Sequence, residues 1–100
     1  MSEPGVPSFD QLSVFLTVVE TGSFAAAGRR LHRATSAISY AIANVELQLG
    51  VALFDREKTR KPTLTDAGKA VLAKARAVAT GMNDLRACVS GLLDGLEAEV

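Results

Sequence analysis

The chain holds one cysteine, one histidine and no tryptophan, and each scarcity removes a class of protein. Cys88 has no mate for an internal disulfide, and with His32 as the single imidazole it cannot build a zinc site of the common three- or four-ligand kind. No cofactor is implied. No apolar run approaches the roughly 18 residues that a membrane span needs, so a soluble protein with no membrane partner is expected. The opening Met1-Ser2-Glu3-Pro4-Gly5-Val6-Pro7 has neither a basic segment nor an apolar core, which argues against a secretory signal and makes the cytoplasm the expected compartment. Paired carboxylates beside a pocket, a Ser/His/Asp set and a phosphate-cradling glycine loop are all missing, so an enzyme is not expected.

What remains is 100 residues, 48% hydrophobic and 22% charged, which is the composition of one globular domain rather than of a disordered chain. The formal net charge of zero hides an uneven distribution. Between Arg29 and Arg76 ten basic side chains stand against four acidic ones, and the other acids lie toward the two ends. A basic middle can present a cationic face to phosphates although the whole chain is neutral.

After a flexible tail at 1–7, Ser8-Phe9-Asp10-Gln11 has the form of a capping box, and Leu12, Phe15, Leu16 and Val19 follow at i, i+3, i+4, i+7. This predicts an amphipathic helix closing near Gly22. Ser23 is the expected N-cap of a second, shorter helix with Phe24, Ala27, Gly28 and Leu31 on one face, ending at His32, which is read as a helix-end residue. A third helix begins at Thr35-Ser36, buries Ile38, Ile42, Val45 and Leu49, and stops at Gly50. Two helices joined by so tight a turn form a helix-turn-helix unit. Val51 to Leu64 is read as a short β-hairpin with a cationic tip, and Thr65-Asp66 as the start of a last helix.

That last helix carries the clearest periodicity. Val71, Ala75, Val78, Met82, Leu85, Val89, Leu92 and Leu96 alternate spacings of four and three, the pattern of a seam that packs on another helix. Gly91 and Gly95 predict fraying or a hinge near its end, each costing about 1 kcal/mol in a helix interior. The expected organisation is therefore a helix-turn-helix unit with its hairpin at 8–64, a dimerisation helix at 65–93 and a hinge at 94–100. Cys88 beside this seam is read as a packing residue.

In a helix-turn-helix the second helix lies in the major groove, so its first residues must be short, polar and free of core duties. Thr35, Ser36, Ala37, Ser39 and Tyr40 meet that need, and Asn44 lies further along the same helix. Ser36 and Ser39 can bond bases or phosphates, and Ala37 can touch a thymine methyl. Lys58, Arg60 and Lys61 at the hairpin tip are placed for flanking phosphates or an adjacent minor groove, Arg33 adds charge in the turn, and amides at the Ser23 helix start can meet a phosphate.

The order and spacing of several linked segments resemble the N-terminal domain of LysR-type transcriptional regulators. These are Phe15…Val18-Val19-Glu20…Gly22-Ser23-Phe24, Ala27…Leu31-His32, Ser39…Ile42…Val45-Glu46…Leu49-Gly50-Val51…Leu53-Phe54…Arg56 and Leu64-Thr65…Ala67-Gly68. The resemblance implies a mostly α fold: a winged helix-turn-helix of three helices and a short β-hairpin wing, followed by a long dimerisation helix. It further implies a homodimer binding double-stranded operator or promoter DNA, with a small-molecule effector acting only through a domain outside this chain.

The chain departs from the family pattern where Ser-Gln-Pro-Ala commonly opens the recognition helix. Ala34-Thr35-Ser36-Ala37 stands there instead, Tyr40 occupies a position where arginine is frequent, and Ala43-Asn44 fill positions that are often basic. Fewer cations on that helix predict weaker phosphate neutralisation and a smaller salt dependence. The rival expectation is a helical interaction adaptor whose seam is the working surface and whose basic middle is only a solvated face.

Overall fold

Ser8 begins the ordered architecture by the exchange its sequence predicts: its Oγ accepts from the Gln11 amide at 3.1 Å while its own amide donates to Gln11 Oε1 at 2.8 Å. In the computed structural model, which describes residues 5–55 and 62–98, the helix so opened is α1 (Phe9–Thr21). It is followed by α2 (Phe24–Leu31), α3 (Thr35–Leu49), the strands β1 (Phe54–Asp55) and β2 (Thr63–Leu64), and α4 (Asp66–Ala98). The strands pair antiparallel, with Phe54 opposite Leu64 and Asp55 opposite Thr63. Three helices, a short hairpin and a long closing helix are thus the predicted order.

Helix α1 is buried more widely than one stripe. Val14, Phe15, Thr17 and Val18 are inside, and Leu12, Leu16 and Val19 only line the core. The cause is that α1 touches α2, α3 and α4 on different sides, so most of its circumference is covered. Buried Thr17 satisfies its hydroxyl on the Ser13 carbonyl at 2.8 Å, one turn back along the helix.

The turn between α2 and α3 is only His32, Arg33 and Ala34. His32 adopts the left-handed conformation at φ 57°, and the Arg33 amide reaches back to the Gly28 carbonyl at 2.8 Å. Gly28 is required here: a Cβ on it would stand 2.6 Å from the Arg33 carbonyl. Chain closure of this kind aims α3 across α1 and α2, and Ile38, Ile42 and Val45 fill the space beneath it with no exposure.

Phe54 on β1 joins the hairpin to the same core, meeting Phe15 and Phe24 edge to face at centroid distances of 5.6 and 5.7 Å. Glu46 of α3 accepts from the Leu53 amide at 2.7 Å, which ties the end of α3 to the start of the hairpin. Thr65 then caps α4. Its Oγ donates to the Ala52 carbonyl at 2.6 Å and accepts from the Gly68 amide at 2.9 Å. Gly68 lies so close to Leu53 that a Cβ would collide with the Leu53 carbonyl.

Leu72 and Ala75 seal the core from the α4 side, and beyond them α4 projects into solvent. The helix runs through Gly91 and Gly95, where fraying or a hinge was expected, to Ala98. Glycine is a cost rather than a stop: neither glycine takes the left-handed conformation that terminates α1 at Gly22 and α3 at Gly50.

Candidate nucleic-acid interface

Because Ile38, Ile42 and Val45 point inward, the opposite side of α3 is turned to solvent. Thr35, Ser36, Ala37 and Tyr40 are exposed, Tyr40 to 65%, while Ser39 and Asn44 are half-buried at the edges of that face. The helix starts at Ala34, which offers no side-chain cap, so the first amides of α3 project without a hydroxyl or carboxylate over them. These amides and the short side chains around them form an open polar end suited to approach by an anion or a base edge.

Ser23 serves first as a cap: its Oγ accepts from the Ala26 amide at 3.0 Å. Arg33 is engaged as well. Its two terminal nitrogens hold both carboxylate oxygens of Asp10 at 3.1 and 2.9 Å, so the turn is tied to the start of α1. The Arg33 hydrogen bonds hold the Asp10 carboxyl below the usual carboxylate range, slight burial opposing them, and Asp10 in turn raises the guanidinium. Arg30 pairs more loosely with Glu20 at 3.5 Å. Lys58, Arg60 and Lys61, expected at the wing tip, lie outside the described residues.

The seam of α4 divides into two parts. Ala75 is buried and half-buried Val71 packs against the core, so both meet this chain's own helices; Leu72, absent from the expected seam, is buried beside them. An alanine is small enough for either setting, and spacing alone does not separate the two. Val78, Met82, Leu85, Val89 and Leu92 are exposed along one side of the projecting helix. An apolar groove lined by Leu12, Leu49, Val71, Ala75 and Val78 leads from the core to that side.

Sequence reasoning assigned no contact to two residues of this face. Ala43 and Leu47 extend the outward face of α3, Leu47 with 80% exposure, and the signal for them was there: they follow Ser36 at i+7 and i+11. The link from Glu46 to the hairpin had no local signal.

A tight helical pair, a short antiparallel wing and a projecting helix define the class as a winged helix-turn-helix protein. The particular family follows from comparison: the model of the bacterial regulatory helix-turn-helix proteins of the lysR family matches residues 9–69, and the chain belongs to that family. The HTH-type transcriptional regulator AceR of Acinetobacter baumannii is 41% identical over 88 residues, which is 88% of this chain and 29% of AceR. An uncharacterized HTH-type regulator from the ibpB-leuC intergenic region of Azotobacter vinelandii is 44% identical over 81 residues, 81% of this chain and 56% of that protein. The chain therefore spans only part of the curated relatives it matches. Among solved structures, the BenM DNA-binding domain in complex with catB site 1 DNA superposes with a TM-score of 0.79 at 26% identity, over 85% of this chain and 94% of that one. The relatives are transcriptional regulators, and this chain carries their DNA-binding domain.

Proposed function

We propose that the chain is the DNA-reading and pairing part of a homodimeric cytoplasmic transcriptional regulator, with no catalytic role, that binds double-stranded operator or promoter DNA. Helix α3 enters the major groove with Thr35, Ser36, Ala37, Ser39, Tyr40 and Asn44 toward the bases and nearby phosphates. Amides at the start of α2 beside Ser23 meet one backbone phosphate, and Lys58, Arg60 and Lys61 reach the flanking backbone or minor groove. Arg33 acts chiefly by fixing the turn that presents α3. Two copies pair through Val78, Met82, Leu85, Val89 and Leu92, placing two recognition helices on one partly palindromic site. The proposed organisation is a reading unit at 8–64, a pairing helix at 65–93 and a hinge at 94–100, and any effector acts through a domain outside this chain.

The observation that carries this reading is the orientation of α3: Ile38, Ile42 and Val45 are fully buried while Ser36 and Tyr40 stand in solvent. Because neither exposed side chain supports the core, Ser36→Ala and Tyr40→Ala leave the fold intact and lower affinity for a duplex enriched from a random library by about tenfold or more, the scale of a lost base contact. Mobility-shift titration measures it, with thermal unfolding as the control. Both variants binding like the parent would overturn the assignment of α3 as the reading helix.

A further inference from the structure

Opposite its buried stripe, α3 presents Ser36, Tyr40, Ala43 and Leu47 at i, i+4, i+7 and i+11, with Ala37 at the edge. Of its 15 residues only Glu46 is charged, and that carboxylate is turned onto the Leu53 and Phe54 amides at 2.7 and 3.5 Å. The helix therefore has neither the arginine nor the lysine that grips the O6 and N7 edge of guanine. Arg29 and Arg30 sit in the last turn of α2 and Arg33 in the turn beyond it, so charge flanks the reading face and does not occupy it. A face of methyl groups and a ring is desolvated favourably only against apolar surface, and the one apolar group that base pairs display in the major groove is the thymine 5-methyl. Asn44 at the flank has the amide that pairs with N6 and N7 of adenine, thymine's own partner base.

Building on the DNA-binding reading above, we propose that α3 selects its site through thymine 5-methyl groups packed against Ala37, Tyr40 and Ala43. The hydroxyls of Ser36 and Ser39 set the register, and the ligand is a duplex whose contacted positions are A·T pairs. Guanine edges contribute little to selection. Cytosine methylated at C5 displays an equivalent methyl in the same groove and partly replaces a contacted thymine.

The test uses a duplex enriched by the purified chain from a random-sequence library, resynthesised with deoxyuridine for thymidine or with 7-deazaguanine for guanine. Binding is followed by fluorescence anisotropy. Deoxyuridine is expected to weaken binding about fourfold for each contacted methyl, the effect of one buried methylene-sized group. The 7-deazaguanine duplex is expected to stay within about twofold of the parent. Tyr40→Ala, a substitution at an exposed position, is expected to erase most of the difference between thymine and uracil duplexes, as a coupled pair requires. An enriched duplex that binds equally well with uracil, or that loses about tenfold with 7-deazaguanine, overturns the proposal and leaves DNA binding standing. Failure to enrich any duplex overturns both together.

Discussion

Arg33 illustrates how a single side chain is committed by its neighbours. Its guanidinium makes a two-point contact with Asp10, 23 positions earlier in the chain, and so joins the start of α1 to the turn that launches α3. Because Arg33 lowers the Asp10 pKa relative to the unfolded chain, where an aspartate titrates near 3.9, the pair adds stability that is complete above that value. It is lost as the pH falls through the lower, folded value. Both side chains keep much contact with water, at 40% and 65% exposure, so the contribution is small and screened by salt. Asp10→Asn is accordingly expected to be slightly less stable than the parent at neutral pH, with the difference closing as the pH falls below the ordinary aspartate range and in high salt. Urea unfolding at several pH values measures this, and a difference independent of pH would assign the effect to something other than the ion pair. The charge of Arg33 was legible in the sequence, and it pointed toward phosphate. Its partner was not, because an ion pair across so many residues exists only once α1 and α2 have packed.

At the scale of elements, the signals that could be read were those that act within a few residues. The Ser8 box, the Ser23 cap, the glycine stops at Gly22 and Gly50 and the buried stripe of α3 depend on spacing along one segment, and each lies where its residues imply. What spacing could not supply was the identity of the covering surface. The seam expected from Val71 onward begins against the molecule's own core, where Val71 packs half-buried and Ala75 is buried. The glycines at 91 and 95, read as a place of fraying or a hinge, lie within the continuous helix α4. Thr65 is the element boundary on which most depends, since one hydroxyl joins the loop at Ala52 to the first turn of α4. Thr65→Ala removes both bonds and is expected to destabilise the fold by about 1–2 kcal/mol, the range of lost N-caps, whereas Thr65→Ser retains the hydroxyl and most of the stability. Chemical denaturation of the three proteins distinguishes this from a packing effect of the threonine methyl, which would make Ser as damaging as Ala.

At the scale of the whole molecule, the shape accords with the proposed pairing of two copies. The described residues span 60 × 28 × 26 Å, and the long dimension comes from α4, whose 33 residues reach about 50 Å at 1.5 Å per residue. Its first turns rest on the core, and beyond them Val78, Met82, Leu85, Val89 and Leu92 are exposed along one side of the helix. A second copy laid along that side removes the apolar stripe from solvent and presents two α3 helices to one duplex. Leu85 stands near the middle of the exposed run at 59% exposure, so Leu85→Asp places a carboxylate in the proposed seam and leaves the core untouched. Desolvating that charge, twice in a symmetric pair, opposes association far more than it disturbs the monomer. Light scattering is expected to show a dimer for the parent and a monomer for the variant, with the helix content of the monomer largely kept. DNA supplies the second reading: affinity for a site with two half-sites falls by about a hundredfold, because tethering of the second reading helix is lost. Affinity for an isolated half-site changes little. A variant that remains dimeric would place the interface on another surface, and one that turns monomeric yet binds the double site unchanged would show that one reading helix suffices.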